Sequence, residues 1–316
     1  MEKIKVLSLF SGIGAYEEGL KNIGINNEIV NYCEYDDAPA RAYSLMHNIP
    51  IEKNLGDITT VDETKIDNFD LMTYSFPCQD ISALGDQKGL FDNDGNKTRS
   101  GLFFDAMRIA EYKKPKFMIA ENVKALASKP FKKDLDEMIK LLDAIGYNTY
   151  WKVLNSKDYG IPHSRNRIYI VSIRKDVDKG DFVFPNPIKL IKVAKDFYDK
   201  EIVRDDYYLR ESDMKYLSEF RIKKQYSSLN KDIIICQTTK QGNLANSQNF
   251  IKDKKGYRVM TPNELLSLQG FDRNYGDLLL ANGFTKEKIG KMSGNSVTVS
   301  VLEAIYKNLL SQYIKK

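Results

Sequence analysis

One local pattern constrains the fold more than any other. Residues 3–10, KIKVLSLF, form a short apolar run that ends at the turn Ser11-Gly12-Ile13-Gly14, and a helical pattern follows through Leu20. The same alternation recurs downstream. Glu28–Tyr35 reads as a strand and DAPARAYSLMH as the helix after it. Asp70–Phe76 and Lys116–Ala120 read as two buried strands, the second followed by a helix over 131–145, and Arg167–Arg174 is a further strand. Strands alternating with helices at this spacing indicate an α/β fold with a doubly wound, mostly parallel sheet. Ligands of such sheets bind beyond the carboxyl ends of the strands. The glycine turn, Glu34, Asp57, Cys78 and Glu121 all fall at or just past predicted strand ends, so they can converge on one cleft.

The rhythm breaks at residue 176. Residues 176–258 contain Pro185 and Pro187, lack the strand–helix alternation, and read as a second, smaller domain. Helical periodicity returns at Thr261–Gln269 and in a last helix over Ser296–Tyr313, so 259–316 complete the domain begun by 1–175. A chain of 316 residues is long enough for both. No apolar run approaches the ~20 residues of a membrane span, and the N-terminus enters a strand directly rather than a secretory leader. Cys33, Cys78 and Cys236 are an odd number without metal-ligand spacing; they suit a reducing cytosol and imply no metal. A net charge of +5 permits nucleic-acid binding without demanding it.

Several residues carry candidate chemistry. Phe10-Ser-Gly12-Ile-Gly14 can bring backbone close to a cofactor at a helix N-terminus, although many α/β turns hold two glycines. Glu17 stands where a dinucleotide fingerprint needs a third glycine or alanine, which argues against a nicotinamide cofactor. Glu34, 20 residues past Gly14, is placed either for ribose hydroxyls or as a solvated loop carboxylate. Cys78, directly after Pro77 at a strand end, is a nucleophile or a buried structural cysteine. The glycine-containing loop 79–101 has the length of a lid. Glu121 ends its strand where burial would raise its pKa, and Arg165 and Arg167 alternate on one face, suited to phosphate or a base carbonyl.

Taken in order, these segments resemble the bacterial C5-cytosine DNA methyltransferases along nearly the whole chain. Phe10–Gly14 is similar to the first cofactor motif, Cys33-Glu34-Tyr35-Asp36 to the second, Gly56-Asp57-Ile58 to the third, and Phe76-Pro77-Cys78-Gln79 to the catalytic motif. Leu102-Phe103-Phe104, Glu121-Asn122-Val123, Tyr159–Pro162 with Arg165-Asn-Arg167, Arg258–Glu264 and Gly294-Asn295-Ser296-Val297 follow in the family's sequence of motifs. His163 departs from it, since glutamine is usual there. The resemblance implies a Rossmann-like domain using S-adenosylmethionine, with Phe10, Gly12, Gly14, Glu34, Tyr35, Asp57, Ile58, Pro77, Leu102, Asn295 and Ser296 as cofactor residues. It implies Cys78, Glu121, Arg165 and Arg167 as catalytic residues. The Cys78 thiolate would add to carbon 6 of cytosine while Glu121 stabilises or protonates N3 and Arg167 holds the base carbonyl, with Arg165 contacting a phosphate or supporting these groups without touching the base. Carbon 5 would then take the sulfonium methyl. A stacked base is out of reach of such chemistry, so it must be flipped out of double-stranded DNA, with loop 79–101 closing over it through Gln79, Ser82 and Arg99.

The second domain corresponds by resemblance to the target-recognition region. Its half over 221–258 holds 9 Lys and Arg against 2 acidic residues, where 176–220 hold 8 against 11. That bias puts phosphate contacts at Lys252, Lys254 and Lys255 and base readout at Gln237, Thr238, Thr239 and Gln241. The resemblance further implies a monomer acting in a bacterial cytosol or phage-infected cell, at the nucleoid, in a restriction–modification setting. Two rivals remain: a transfer-RNA substrate, whose branch carries Cys-Phe-Thr where Cys236 here precedes Gln237, and a DNA-binding regulator without turnover.

Overall fold

The computed structural model describes residues 3–77, 89–90, 98–201, 203–217, 228–241 and 248–311. Cys78, Gln79 and Ser82 lie outside them.

The large sheet is built from β1 (Ile4–Leu9), β2 (Asn27–Cys33), β3 (Leu71–Tyr74), β4 (Phe117–Val123) and β5 (Tyr147–Asn155). A two-residue strand, β6 (His163–Ser164), precedes the sixth member, β7 (Asn166–Arg174). The order is β2-β1-β3-β4-β7-β5. Pairings from β2 to β4 are parallel, whereas β7 runs antiparallel to both β4 and β5. The expected doubly wound sheet is thus present, with one edge reversed. β5 was not expected from the sequence: Tyr147, Trp151 and Val153 are interleaved with polar Asn148, Thr149 and Lys152, because this edge strand faces solvent on one side.

Alternation along the strands divides the core. Ile4 and Val6 of β1, Phe117 and Ile119 of β4, and Tyr169 and Val171 of β7 belong to one apolar cluster. It is completed by α1 (Ala15–Asn22), which follows the glycine turn. Leu7, Leu9, Met118, Ala120, Ile168 and Ile170 point the other way. There they meet α3 (Phe103–Lys113) and α4 (Lys132–Ala144), while α2 (Asp37–His47) follows β2. Helices on both faces are the reason most strand residues here are apolar.

A smaller unit follows, with α5 (Glu211–Tyr216), β8 (Ser228–Leu229), β9 (Ile234–Ile235), β10 (Asn249–Lys252) and β11 (Tyr257–Val259). β11, β10 and β8 form a three-stranded sheet, while β9 pairs in parallel with β6. Tyr207, Leu217, Phe250 and Val259 make a small core. Phe182, by contrast, packs in the large cluster, so the chain after residue 176 first runs along the main body. Four helices close the fold: α6 (Pro262–Ser267), α7 (Tyr275–Ala281), α8 (Lys286–Asn295) and α9 (Val299–Leu309). α6 and α9 fall within the two expected helical stretches. α7 and α8 were not legible, being short and glycine-interrupted. Among the described residues no helix is long and apolar enough to cross a membrane.

Candidate active site

Parallel pairing of β1, β2, β3 and β4 brings four carboxyl ends to one edge, and the antiparallel β7 delivers its N-terminal end there as well. That edge therefore collects Phe10–Gly14, Glu34, Ser75–Pro77, Glu121 and Arg165–Arg167. Gly12 and Gly14 adopt φ of +55° and +78°, and Phe10 shares the left-handed region at +52°. No described atom lies within 4 Å of where a Cβ on Gly12 would stand, so that face of the turn is open. At Gly14 a Cβ would come within 2.1 Å of His47 Nε2.

Glu34 is half-buried and held by backbone. Its carboxylate accepts from Gly12 N–H at 2.9 Å and from Asp36 N–H at 2.9 Å, and burial raises its pKa against those two bonds. The acid thus shapes the glycine turn while lying beside its open face. Tyr35 next to it is 76% exposed, an aromatic plane free for a flat ligand. Asp57 accepts from Thr59 N–H at 2.9 Å, and Ile58 is buried. Leu102 is half-buried against the apolar cluster beneath. Asn295 is exposed and Ser296 buried at the end of α8. This open turn, flanked by an aromatic face and fixed carboxylates, fits a nucleoside-bearing cofactor.

The segment leading into Cys78 is clamped from three sides. Ser75 Oγ lies 2.8 Å from Tyr16 OH and accepts from Glu121 N–H at 3.2 Å. The Phe76 carbonyl accepts from Asn122 Nδ2 at 3.2 Å, and the Pro77 carbonyl from Ser100 Oγ at 2.8 Å. Asn122, Ser75 and Ser100 were not singled out in the sequence as partners. Pairing of β3 with β4 brings Asn122 to this loop, and the 3-10 helix before α3 brings Ser100.

Glu121 and Arg167 meet through strand register. Glu121 lies opposite Tyr169 and Val123 opposite Arg167, so Glu121 and Arg167 are diagonal neighbours on one face. Arg167 Nε stands 3.0 Å from Glu121 Oε1. Burial raises the Glu121 pKa, and the nearby Arg167 and Arg165 charges pull the other way. A carboxyl group in this balance can hold a proton and still be oriented by a guanidinium. Arg165 is 2% exposed and turned inward. Its Nη1 donates to the Gln237 carbonyl at 3.0 Å and its Nη2 to the Ser296 carbonyl at 2.8 Å. It stitches backbone together beside Arg167, the supporting place that stood as the alternative to a phosphate contact.

The expected DNA-reading residues separate. Gln237 is 0% exposed, with its amide donating to the Leu265 carbonyl and accepting from Ser293 Oγ. Where a base-edge contact was expected of it, that side chain is bonded inside the protein. Gln241 is also buried, whereas Thr239 is exposed and Thr238 donates to Gln248 Oε1 at 2.9 Å. Lys252 and Lys254 are exposed. Lys255, also exposed, pairs with Asp205, so its charge is partly matched within the protein. Arg99 lies in a short 3-10 helix before α3.

A doubly wound sheet with an open glycine turn and a buried acid–arginine pair at one edge has the layout of a Rossmann-like methyltransferase. The chain belongs to the C-5 cytosine-specific DNA methylase family, whose model matches residues 4–311. It is similar to the type II methyltransferase M2.ScrFI of Lactococcus lactis subsp. cremoris, 30% identical over 97% of this chain and 99% of the relative. It is 31% identical to M.HaeII of Haemophilus aegyptius, over 98% of this chain and 94% of that one. Its fold is shared with the solved Dnmt2 methyltransferase of S. pombe, at a TM-score of 0.77 and 22% identity over 98% and 99% of the two chains. Its activity is accordingly that of a DNA cytosine-5 methyltransferase.

Proposed function

We propose that this chain methylates a flipped-out cytosine in a specific duplex site, using S-adenosylmethionine and a transient covalent bond from Cys78. The observation that carries the reading is the buried Glu121 carboxyl, 3.0 Å from Arg167 Nε and hydrogen-bonded through its own backbone to Ser75, three residues before Cys78. The Cys78 thiolate adds to carbon 6, forming a carbon–sulfur bond. Glu121 gives its proton to N3, so the ring's electrons move to carbon 5 instead of building charge on nitrogen. Arg167 orients Glu121 and would hold the base carbonyl. S-adenosylmethionine, when bound, supplies an electrophilic methyl group. Glu34 and the backbone of Phe10–Gly14 would hold it, with Tyr35, Asp57, Ile58, Leu102, Asn295 and Ser296 around it. After transfer a base removes the carbon 5 proton, the carbon–sulfur bond to Cys78 breaks as the thiolate leaves, and N3 returns its proton to Glu121.

The exposed residues Thr239, Lys252 and Lys254 support DNA contact by the unit over 176–258. Its recognised sequence belongs to that unit's exposed surface. The test uses duplex DNA containing 5-fluorocytosine, which has no carbon 5 proton to remove. The native enzyme with cofactor should form a stable protein–DNA adduct, and Cys78→Ser should form none while keeping cofactor binding. Turnover by Cys78→Ser near the native rate, or methylation of RNA and not of DNA, would sink the reading.

A further inference from the structure

Four polar groups of Gln237 are engaged, each with a different residue. Its N–H donates to His163 Nε2 at 2.9 Å and its carbonyl accepts from Arg165 Nη1 at 3.0 Å. Its side-chain Nε2 donates to the Leu265 carbonyl of α6 at 3.2 Å, and its Oε1 accepts from Ser293 Oγ of α8 at 2.8 Å. The bonds then continue round a closed circuit. Gln269 Nε2 donates to the Ser293 carbonyl at 2.7 Å, and Thr298 Oγ1 donates to Gln269 Oε1 at 3.0 Å. Ser156 Oγ donates to Thr298 Oγ1 at 2.8 Å, and Ser156 N–H donates to the Arg165 carbonyl at 3.1 Å. Every member is buried, so each bond would be costly to leave unmade.

The circuit has a functional end at each side. Cys236, next in the chain, has its Sγ 3.6 Å from Arg165 Nη1 and 3.9 Å from Arg167 Nη2. In the other direction the backbone leads through Thr238 to exposed Thr239 and Lys240. His163, which accepts the Gln237 N–H, must be the neutral imidazole; burial, then the charges of Arg165 and Arg167, hold its pKa well below the usual value.

We propose that Gln237 is a positioning residue: its side chain pins the strip 236–237 to α6 and α8, and the strip in turn fixes Arg165 and, beside it, the Arg167–Glu121 pair. The surface that meets DNA and the pair that holds the base then share one stretch of backbone. This rests on the reading that Glu121 and Arg167 hold the target base. Removing the Gln237 amide should therefore slow methyl transfer without changing which sequence is methylated.

Four variants of the full chain test this on duplex DNA with saturating cofactor: Gln237→Leu, Ser293→Ala, Arg165→Lys and the double variant Gln237→Leu with Arg165→Lys. Gln237→Leu should lower kcat on the order of 10-fold or more, the scale of a small misplacement of reacting groups. KM for DNA and the methylated sequence should stay native. The double variant should be no slower than Arg165→Lys alone, since both act through one contact. Ser293→Ala, which removes only the partner hydroxyl, should show the same pattern more weakly, and it decides the matter if Gln237→Leu does not fold. A relaxed sequence preference would make Gln237 a base reader and overturn the proposal. So would losses in the double variant that multiply, or native kcat in a folded Gln237→Leu or Ser293→Ala protein. Glu121→Gln and Arg167→Lys run alongside: if both keep native kcat, the base-holding reading fails whatever Gln237 does.

Discussion

At the scale of single residues, burial turns ordinary side chains into reagents or liabilities. Glu121 is a carboxyl group whose pKa burial raises, and the proposed chemistry uses its protonated form. Methyl transfer should therefore fall as pH rises through that raised value. Glu121→Gln, which cannot release a proton, should be much slower and lack that alkaline limb. A pH–rate profile of the two under single-turnover conditions checks this, and an identical limb in the variant would reassign it to another group. Glu17 is the contrasting case. It is buried on α1, and burial raises its pKa against the pull of His47 and of the Ser8 and Tyr43 hydroxyls. A raised folded value means stability is greatest below the unfolded carboxyl value of about 4.3 and is lost as pH climbs toward the folded one. Glu17→Gln should remove that loss. Denaturant melts should find the variant at least as stable as native near neutral pH, with the gap closing in acid.

At the scale of elements, close approaches make glycine obligatory where chemistry needs backbone. The turn between β1 and α1 needs Gly14 twice, for φ +78° and because a Cβ would strike the His47 ring of α2. Gly14→Ala should cost at least about 1–3 kcal/mol, the range for a strained backbone residue, before any clash is counted. Adding His47→Ala should recover the part due to the clash and leave the strain. Thermal melts of the two single variants and the double variant separate the terms; full recovery would mean that the backbone conformation costs nothing. β4 and β7 show the same dependence on pairing. A slip of one residue in their register would send Arg167 to the opposite face from Glu121.

At the scale of the molecule, one buried ion pair joins the smaller unit to the closing helices. Arg258 of β11 is bonded to both oxygens of Glu264 of α6 at 2.7 Å, and Glu264 also completes the Thr261 capping box. Glu264→Gln leaves the buried Arg258 with Asp253, 3.0 Å from its Nε, as its remaining charged partner, so the loss should stay below the about 3–5 kcal/mol typical of an uncompensated buried charge. Calorimetry should find that loss and a lower melting point, and an unchanged melting point would mean water reaches Arg258. The surface charges predict a separable effect on DNA. Lys252→Gln and Lys254→Gln should each flatten the log–log salt dependence of binding by about 0.9 per lost phosphate contact. Lys255→Gln should flatten it less, because Asp205 already matches that charge. Equal slopes for all three would show that the Asp205 pair opens on DNA.

The sequence by itself determined what depends on local order. The strand–turn–helix start and the placement of Glu34, Glu121 and Arg167 at one edge of the sheet were legible, because period, glycine turns and motif spacing are properties of neighbouring residues. The tertiary structure alone decided what depends on partners distant in the chain. β5 and the reversal at β7 could not be read, since an edge strand's alternation is weak and strand direction leaves no mark in composition. Arg165 and Gln237 carry polar side chains that suit phosphate and base edges equally well on paper. They face inward because β6 pairs with β9 and α8 packs close by, which encloses them in hydrogen bonds before any ligand arrives. A polar residue's type tells what it can bond; only the fold selects which partner is within 3 Å.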